Sequence, residues 1–175
     1  MDSLTAPQAN QYWLTIPAAA FIPFEDGYDY QNHARYLLHL HSPGNGTNDG
    51  LYVALVELPV GATVNRVIFS WYDNSSSKAG TAYLQRSQLW GIGLDGSYQT
   101  MATVVTDDLH PGFYTSESTG IASPVILGNY SYWVAWWLPI ATAGSHPGLG
   151  DVMGKGTMIG YTMPASACYL PLIQR

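Results

Sequence analysis

Three histidines in the first quarter of the chain form the pattern that could most directly do chemistry. His39 and His41 lie two residues apart in the run Leu38–His41, and His33 precedes His39 by six positions. Side chains two residues apart on a strand point to the same face, where two imidazoles can share one metal ion. The spacing indicates a candidate divalent-metal site at His33, His39 and His41. The alternative is that these imidazoles line a half-exposed strand without a ligand.

This His-x-His strand in a β-rich chain resembles the metal-binding strand of the cupins, which hold Fe, Mn or Zn. In that family a glutamate follows four or five positions after the second histidine. Here the nearest acidic residue is Asp49, eight positions after His41, and the surroundings of His146 do not match the second cupin motif. The resemblance implies a metal-dependent enzyme as one reading of the chain.

A strongly aromatic stretch, Tyr130–Leu138, carries five rings and no charge in nine residues. With the two-residue period of a strand, Trp136 lies on one face and Trp133 and Trp137 lie on the other. A strand with one wet face alternates apolar and polar residues, so both faces of this strand need a cover. We expect the Trp136 face to pack across a sandwich core against Val67, Phe69 and Trp71 of the predicted strand Thr63–Tyr72. The opposite face is expected to meet a second subunit or a sugar, and a subunit is favoured.

Exposed aromatic rings could also stack on the faces of sugar rings. The chain has 13 Tyr and 6 Trp, although buried aromatics would give the same count. The candidate ligand-binding residues are Trp133, Trp137, Tyr72 and Trp90.

The low charge of the chain excludes some partners and favours others. Only 10% of the 175 residues are charged, against a typical ~25%, and the net charge is −6. The six Lys and Arg residues are scattered, so nucleic-acid binding is not expected. No apolar run approaches the ~20 residues of a membrane helix, and the N-terminus has no signal-peptide pattern. A surface of uncharged polar residues is typical of secreted, sugar-binding or self-assembling β-proteins, so an extracellular or cell-surface location and a homo-oligomer are favoured.

These residues are positioned by short β-rich runs separated by Gly, Pro, Asn, Asp and Ser. The pattern predicts one all-β domain over residues 1–175, an antiparallel β-sandwich of about nine strands, with 1–11 and 164–175 as extended arms. A glycine-rich connection is expected over Thr142–Gly156. The predicted strands are Tyr12–Ile16, Ala34–His41, Leu51–Leu58, Thr63–Tyr72, Thr81–Leu89, Gln99–Val105, Ile121–Leu127, Tyr130–Leu138 and Met158–Met163.

Three motifs carry a resemblance to a group of uncharacterised bacterial proteins. They are the turn LPVGATV at Leu58–Val64, the aromatic strand VIFSWYDN at Val67–Asn74, and the closing strand IGYT at Ile159–Thr162. The chain is similar to that group over roughly residues 51–163. The resemblance implies a jelly-roll-like sandwich, often at the cell exterior, and it implies no catalytic residues.

Three functions follow as hypotheses. The first is a non-catalytic structural or interaction protein that self-associates through aromatic surfaces, and it accounts for the low charge and the two-sided aromatic strand. The second is a carbohydrate-binding module that uses exposed Trp and Tyr. The third is a metal-dependent enzyme built on His39 and His41. The chain shows no nucleophile elbow, phosphate loop or paired-cysteine site, so an enzyme is less expected than a binding protein.

Overall fold

The computed structural model describes residues 10–24, 30–33, 36–39, 49–73, 79–89, 98–106, 112–139 and 152–164, and only the backbone of residues 31–33, 36, 38, 39 and 49. These residues form eleven strands and one 3-10 helix, Ala18–Ala20, and none of their helices is long and apolar enough to cross a membrane. The strands are β1 (Gln11–Pro17), β2 (Ile22–Pro23), β3 (Tyr30–His33), β4 (Tyr36–His39), β5 (Asp49–Leu55), β6 (Thr63–Asp73), β7 (Thr81–Gln88), β8 (Gln99–Val105), β9 (Gly112–Ser118), β10 (Tyr130–Pro139) and β11 (Val152–Thr162).

The strands form two antiparallel sheets. Sheet A has the order β3-β4-β11-β6-β9, and sheet B has the order β2-β5-β10-β7-β8. In sheet A, β1 pairs with β11 from Gly156 to Thr162, on the side where β4 pairs at Gly154. The eight strands β4 to β11 therefore make two four-stranded sheets, 4-11-6-9 and 5-10-7-8, which is the strand order of a jelly roll. The predicted all-β antiparallel sandwich is confirmed, and β1, β2 and β3 extend its sheets.

The core lies between the two sheets and is centred on the Trp136 ring of β10. Trp136 stacks on Phe21 with ring centroids 3.6 Å apart and packs on Phe69 of β6 at 5.2 Å. Its indole Nε1 donates a buried hydrogen bond of 2.9 Å to Thr157 Oγ1 on β11. The prediction that the Trp136 face packs across the core against Thr63–Tyr72 is confirmed.

The last third of the predicted connection Thr142–Gly156 is wrong, because Val152–Gly156 belongs to β11. A Cβ atom on Gly154 would overlap the six-membered ring of Trp136. Glycine is therefore needed inside the strand for the close approach of an indole ring, rather than for loop freedom.

The predicted strand Ile121–Leu127 is also wrong. Only Val125 forms a β-bridge, to Thr63, and Ser123 has a φ of 47°. The backbone instead bonds across the end of the sandwich, where Ala62 O accepts from Ile126 N at 2.8 Å. Pro124 has no N–H to donate to a ladder, which explains why an apolar run here does not form a strand.

Three strands, β2, β3 and β9, were missing from the prediction. The edge strand β9 is mostly polar and pairs only with β6, so its sequence lacks the apolar signal of an inner strand. The predicted strand Ala34–His41 contains only the short β4, which pairs with the unpredicted β3. The predicted arms fall largely on residues 1–9 and 165–175, outside the described residues, and the single domain stays a prediction.

Candidate functional site

The outer face of sheet B carries an aromatic site on its central strand. Trp133 and Trp137 of β10 point away from the core, and Trp137 is 44% exposed. Ala135 lies between them on the same face and is only 2% exposed, because larger neighbours surround its methyl group. In the strand register, Ala135 lies between Val53 of β5 and Tyr83 of β7. A small residue between two indoles gives the face a hollow.

This hollow is a groove of about 500 Å³ that runs across four strands of sheet B. Its centre consists of Trp133, Trp137 and Tyr83, and its side toward β2 and β5 is apolar. Its side toward β7 and β8 carries polar groups, so the two sides differ in chemistry. Ten of the described residues line the groove, and none of these ten is charged: Phe24, Leu51, Val53, Tyr83, Gln85, Ser87, Tyr98, Thr100, Trp133 and Trp137.

The Trp133 ring is fixed on two sides. Its Nε1 donates a hydrogen bond of 2.8 Å to Oε1 of Gln85, its cross-strand neighbour on β7. The Tyr98 ring meets it edge-on, with centroids 6.4 Å apart and planes at 72°. A side chain held in this way loses little rotamer freedom when a ligand stacks on it.

An exposed apolar strip continues from the groove toward the β2 edge of sheet B. We define the strip as Ile22, Phe24 and Leu55, which are 61%, 61% and 66% exposed. A second hollow of about 480 Å³ lies along it and shares Phe24, Val53 and Trp133 with the groove. Contiguous apolar surface of this kind marks an interaction site.

The predicted ligand-binding residues do not all meet. Trp133 and Trp137 lie together in the groove. Tyr72 lies on the outer face of sheet A, where its ring packs on Phe113 at 4.9 Å, so the sandwich separates it from the groove. Trp90 lies outside the described residues.

The candidate metal site is described only in part. The backbone pairs His33 with Tyr36 and His39 with Tyr30, which places both histidines in the β3–β4 hairpin. Their side chains and the whole of His41 lie outside what the structure describes. Among the side chains that are described, no cluster of three or more His, Cys, Asp or Glu residues could hold a metal ion. A metal bound by His33, His39 and His41 stays a prediction.

Sequence reasoning missed the polar side of the groove. Gln85 and Thr100 come from different strands, and they meet because β7 pairs with β8 at Gln85 and Thr100. The alternation of Tyr83, Gln85 and Ser87 within one predicted strand places them on one face. Only the register of β7 against β10 brings that face beside Trp133.

No family model matches the chain, and no curated protein matches it. Among solved structures, it is similar to the xylan-binding CBM22-2 domain of Paenibacillus barcinonensis Xyn10C, at 10% identity and a TM-score of 0.49, over 86% of this chain and 99% of that one. A Lys-gingipain adhesin domain, K3 of Porphyromonas gingivalis, matches at 11% identity and 0.46, over 86% and 99%. The coat protein of Tobacco streak virus matches at 14% and 0.36, over 98% of each chain. These TM-scores are below 0.5, so the jelly-roll assignment depends on the strand order alone.

Proposed function

We propose that this protein is a binding module that holds a carbohydrate chain in the groove on sheet B. The observation that carries the proposal is the pair Trp133 and Trp137, which flank the buried Ala135 in an open, uncharged groove with polar groups along one side. A pyranose ring has an apolar face and a rim of hydroxyl groups. Aromatic rings suit the face, and amide and hydroxyl side chains suit the rim.

The length of the groove favours a chain over a single sugar. Trp133 and Trp137 are four residues apart on β10, which is about 13 Å at the ~3.3 Å rise per residue of a strand. This distance is longer than one sugar ring, so the two indoles would contact different units of one chain. Such a role fits the predicted location outside the cell, which stays a prediction.

The proposal is tested by removing one indole and measuring affinity for soluble oligosaccharides by calorimetry. Trp137→Ala should weaken binding at least tenfold, because a buried Trp at the centre of an interface typically contributes about 2 kcal/mol or more. Trp13 offers a matched control, since it is 42% exposed against 44% for Trp137 but belongs to β1 in sheet A. Trp13→Ala should bind as the wild type does. Equal losses in the two variants would contradict the groove as the site.

Self-association is a second candidate function, and the strip of Ile22, Phe24 and Leu55 favours it. Large aliphatic side chains that are more than half exposed make poor sugar ligands but good protein contacts. A second copy of the chain that covers the strip would remove this surface from water. The strip and the groove share Phe24, so the two functions would influence one another.

A further inference from the structure

We infer that the groove takes a neutral, hydroxyl-bearing chain rather than an acidic one because its lining is uncharged, and that the amide group of Gln85 donates a hydrogen bond to that chain. The inference rests on the proposed carbohydrate-binding function and names the ligand class for the same site. It follows from the hydrogen bond between Trp133 and Gln85, from the side on which the polar groups lie, and from the charge of the lining.

The orientation of the Gln85 amide is set by its partner. An indole N–H can only donate, so the atom of Gln85 that lies 2.8 Å from Trp133 Nε1 must be the carbonyl oxygen. The other end of the amide is then the NH₂ group, which carries two donors. Within the described part of the chain this NH₂ group has no hydrogen-bond partner, although Gln85 is only 8% exposed and lines the groove. The NH₂ group of Gln85 can therefore donate a hydrogen bond to an oxygen atom of a ligand in the groove.

Trp133 itself cannot supply that polar contact. Its only N–H group is already bonded to Gln85, so the indole offers a ligand only apolar and π surface. Hydrogen bonds to a ligand must therefore come from the β7–β8 side of the groove, where Gln85 of β7 is paired with Thr100 of β8. A sugar chain would lie with ring faces on the indoles and with hydroxyl oxygens toward Gln85.

The charge of the lining disfavours acidic sugars. A carboxylate that enters the groove loses water and meets no cation to compensate it, since none of the lining residues that the structure describes is charged. The guanidinium of Arg86, next to Gln85 in sequence, is held by Gln99 on the core side of β7. The net charge of −6 adds a weak long-range repulsion. A neutral sugar chain has neither the cost of losing water from a charged group nor the cost of this repulsion.

The test uses four oligosaccharides of equal length: cellohexaose, xylohexaose, mannohexaose and hexagalacturonate. Calorimetry on the full chain should show that at least one neutral hexasaccharide binds ten times or more tightly than hexagalacturonate. Gln85→Glu keeps an oxygen for the Trp133 N–H but replaces the donor with an anionic acceptor. This substitution should weaken binding of the neutral ligand at least tenfold. It removes the NH₂ donor to the ligand and introduces a buried negative charge at the same position.

Thr103→Glu is the matched control, because it adds the same charge to the same face. Thr103 is exposed on β8 opposite Tyr83 and does not line the groove. This variant should bind within a factor of about three of the wild type, as expected for a solvent-screened charge.

Thermal unfolding shows whether Gln85→Glu is folded. If it is not, Gln85→Met, which also lacks the donor, replaces it and should show the same loss of binding.

The outcomes separate the inference from the function on which it rests. Hexagalacturonate binding as tightly as the neutral ligands, or a folded Gln85→Glu with wild-type affinity, would overturn the inference and leave the proposed function in place. No binding of any of the four oligosaccharides would overturn both. Tight neutral binding that is lost in Gln85→Glu and kept in Thr103→Glu supports both.

Discussion

The packing around Trp136 depends on a single position without a side chain. Gly154 of β11 approaches the indole so closely that a methyl group would overlap it, and Phe21 already stacks on the same ring. The ring cannot move without breaking the bond from its Nε1 to Thr157. The core therefore has no room for even the smallest side chain at this position.

Gly154→Ala should lower the free energy of unfolding by about 1–3 kcal/mol, the usual cost of adding a methyl group to a filled core. Chemical denaturation monitored by tryptophan fluorescence measures this change. Gly120→Ala is the control, because a Cβ on Gly120 would have no atom within 4 Å. It should change stability by no more than about 0.5 kcal/mol. Equal effects at the two positions would show that the indole does not limit the space at Gly154.

At the scale of elements, Arg86 of β7 joins two neighbouring strands. Its guanidinium donates from Nε and Nη2 to the same oxygen of Gln99 on β8, at 3.0 and 2.8 Å. It also lies over the ring of Tyr130 on β10, with Cζ 4.6 Å from the centroid. Arg86 is 7% exposed, and among the described residues its guanidinium contacts the neutral groups of Gln99, Ser123 and Tyr130. The planar group thus links β8, β7 and β10 near one end of sheet B.

Arg86→Met should reduce stability by about 1–3 kcal/mol, because two hydrogen bonds to Gln99, a longer one to Ser123 and a cation–π contact are lost at a buried site. The stability of Arg86→Lys should lie between those of the wild type and Arg86→Met. The ammonium group keeps the charge but cannot form the forked pair of bonds. Both are measured by denaturant unfolding.

Arg66→Met serves as the control for this substitution. Arg66 forms an ion pair with Glu117 at 3.5 Å, but the two side chains are 40% and 51% exposed. Exposed pairs contribute about 0–1 kcal/mol, so this variant should unfold close to the wild type. A larger loss at Arg66 than at Arg86 would contradict the role of Arg86 as a link between strands.

The elements that could be predicted from the sequence are runs rich in aromatic and β-branched residues that are bounded by turn residues. Strands β6, β8 and β10 are such runs and match their predictions to within a residue, and β6 also alternates between core and surface for most of its length. The edge strand β9 could not be found, since an edge strand with a polar outer face has little periodic apolar signal. For the site, alternation within β10 was enough to place Trp133 and Trp137 together. Assigning Gln85 and Tyr98 to the site required the register between neighbouring strands. That register cannot be read from the sequence of one strand.

At the scale of the whole molecule, the two outer faces of the sandwich differ in charge. Sheet A carries the ion pair of Arg66 and Glu117 and has the ammonium of Lys155 4.0 Å from the Phe113 ring centroid. The described side chains that line the groove and the strip on sheet B carry no charge, and several of them are large, apolar and exposed. Charges on an outer face keep it in water and discourage association. The asymmetry favours sheet B as the binding face in the proposed function.

Association of the chain with itself should therefore depend on the strip of Ile22, Phe24 and Leu55. Sedimentation velocity over a range of concentrations should show a self-associating wild type, and Leu55→Glu should shift it to monomer, because a carboxylate cannot be buried there without a partner. Val60→Glu is the control, since Val60 is 68% exposed against 66% for Leu55 but lies in the turn before β6. It should associate as the wild type does. A wild type that stays monomeric at high concentration would remove self-association as a function and leave the groove as the use of this face. Because the strip and the groove share Phe24, an oligosaccharide bound in the groove should weaken self-association. Coupling between two binding events is reciprocal, so self-association should weaken oligosaccharide binding by the same factor.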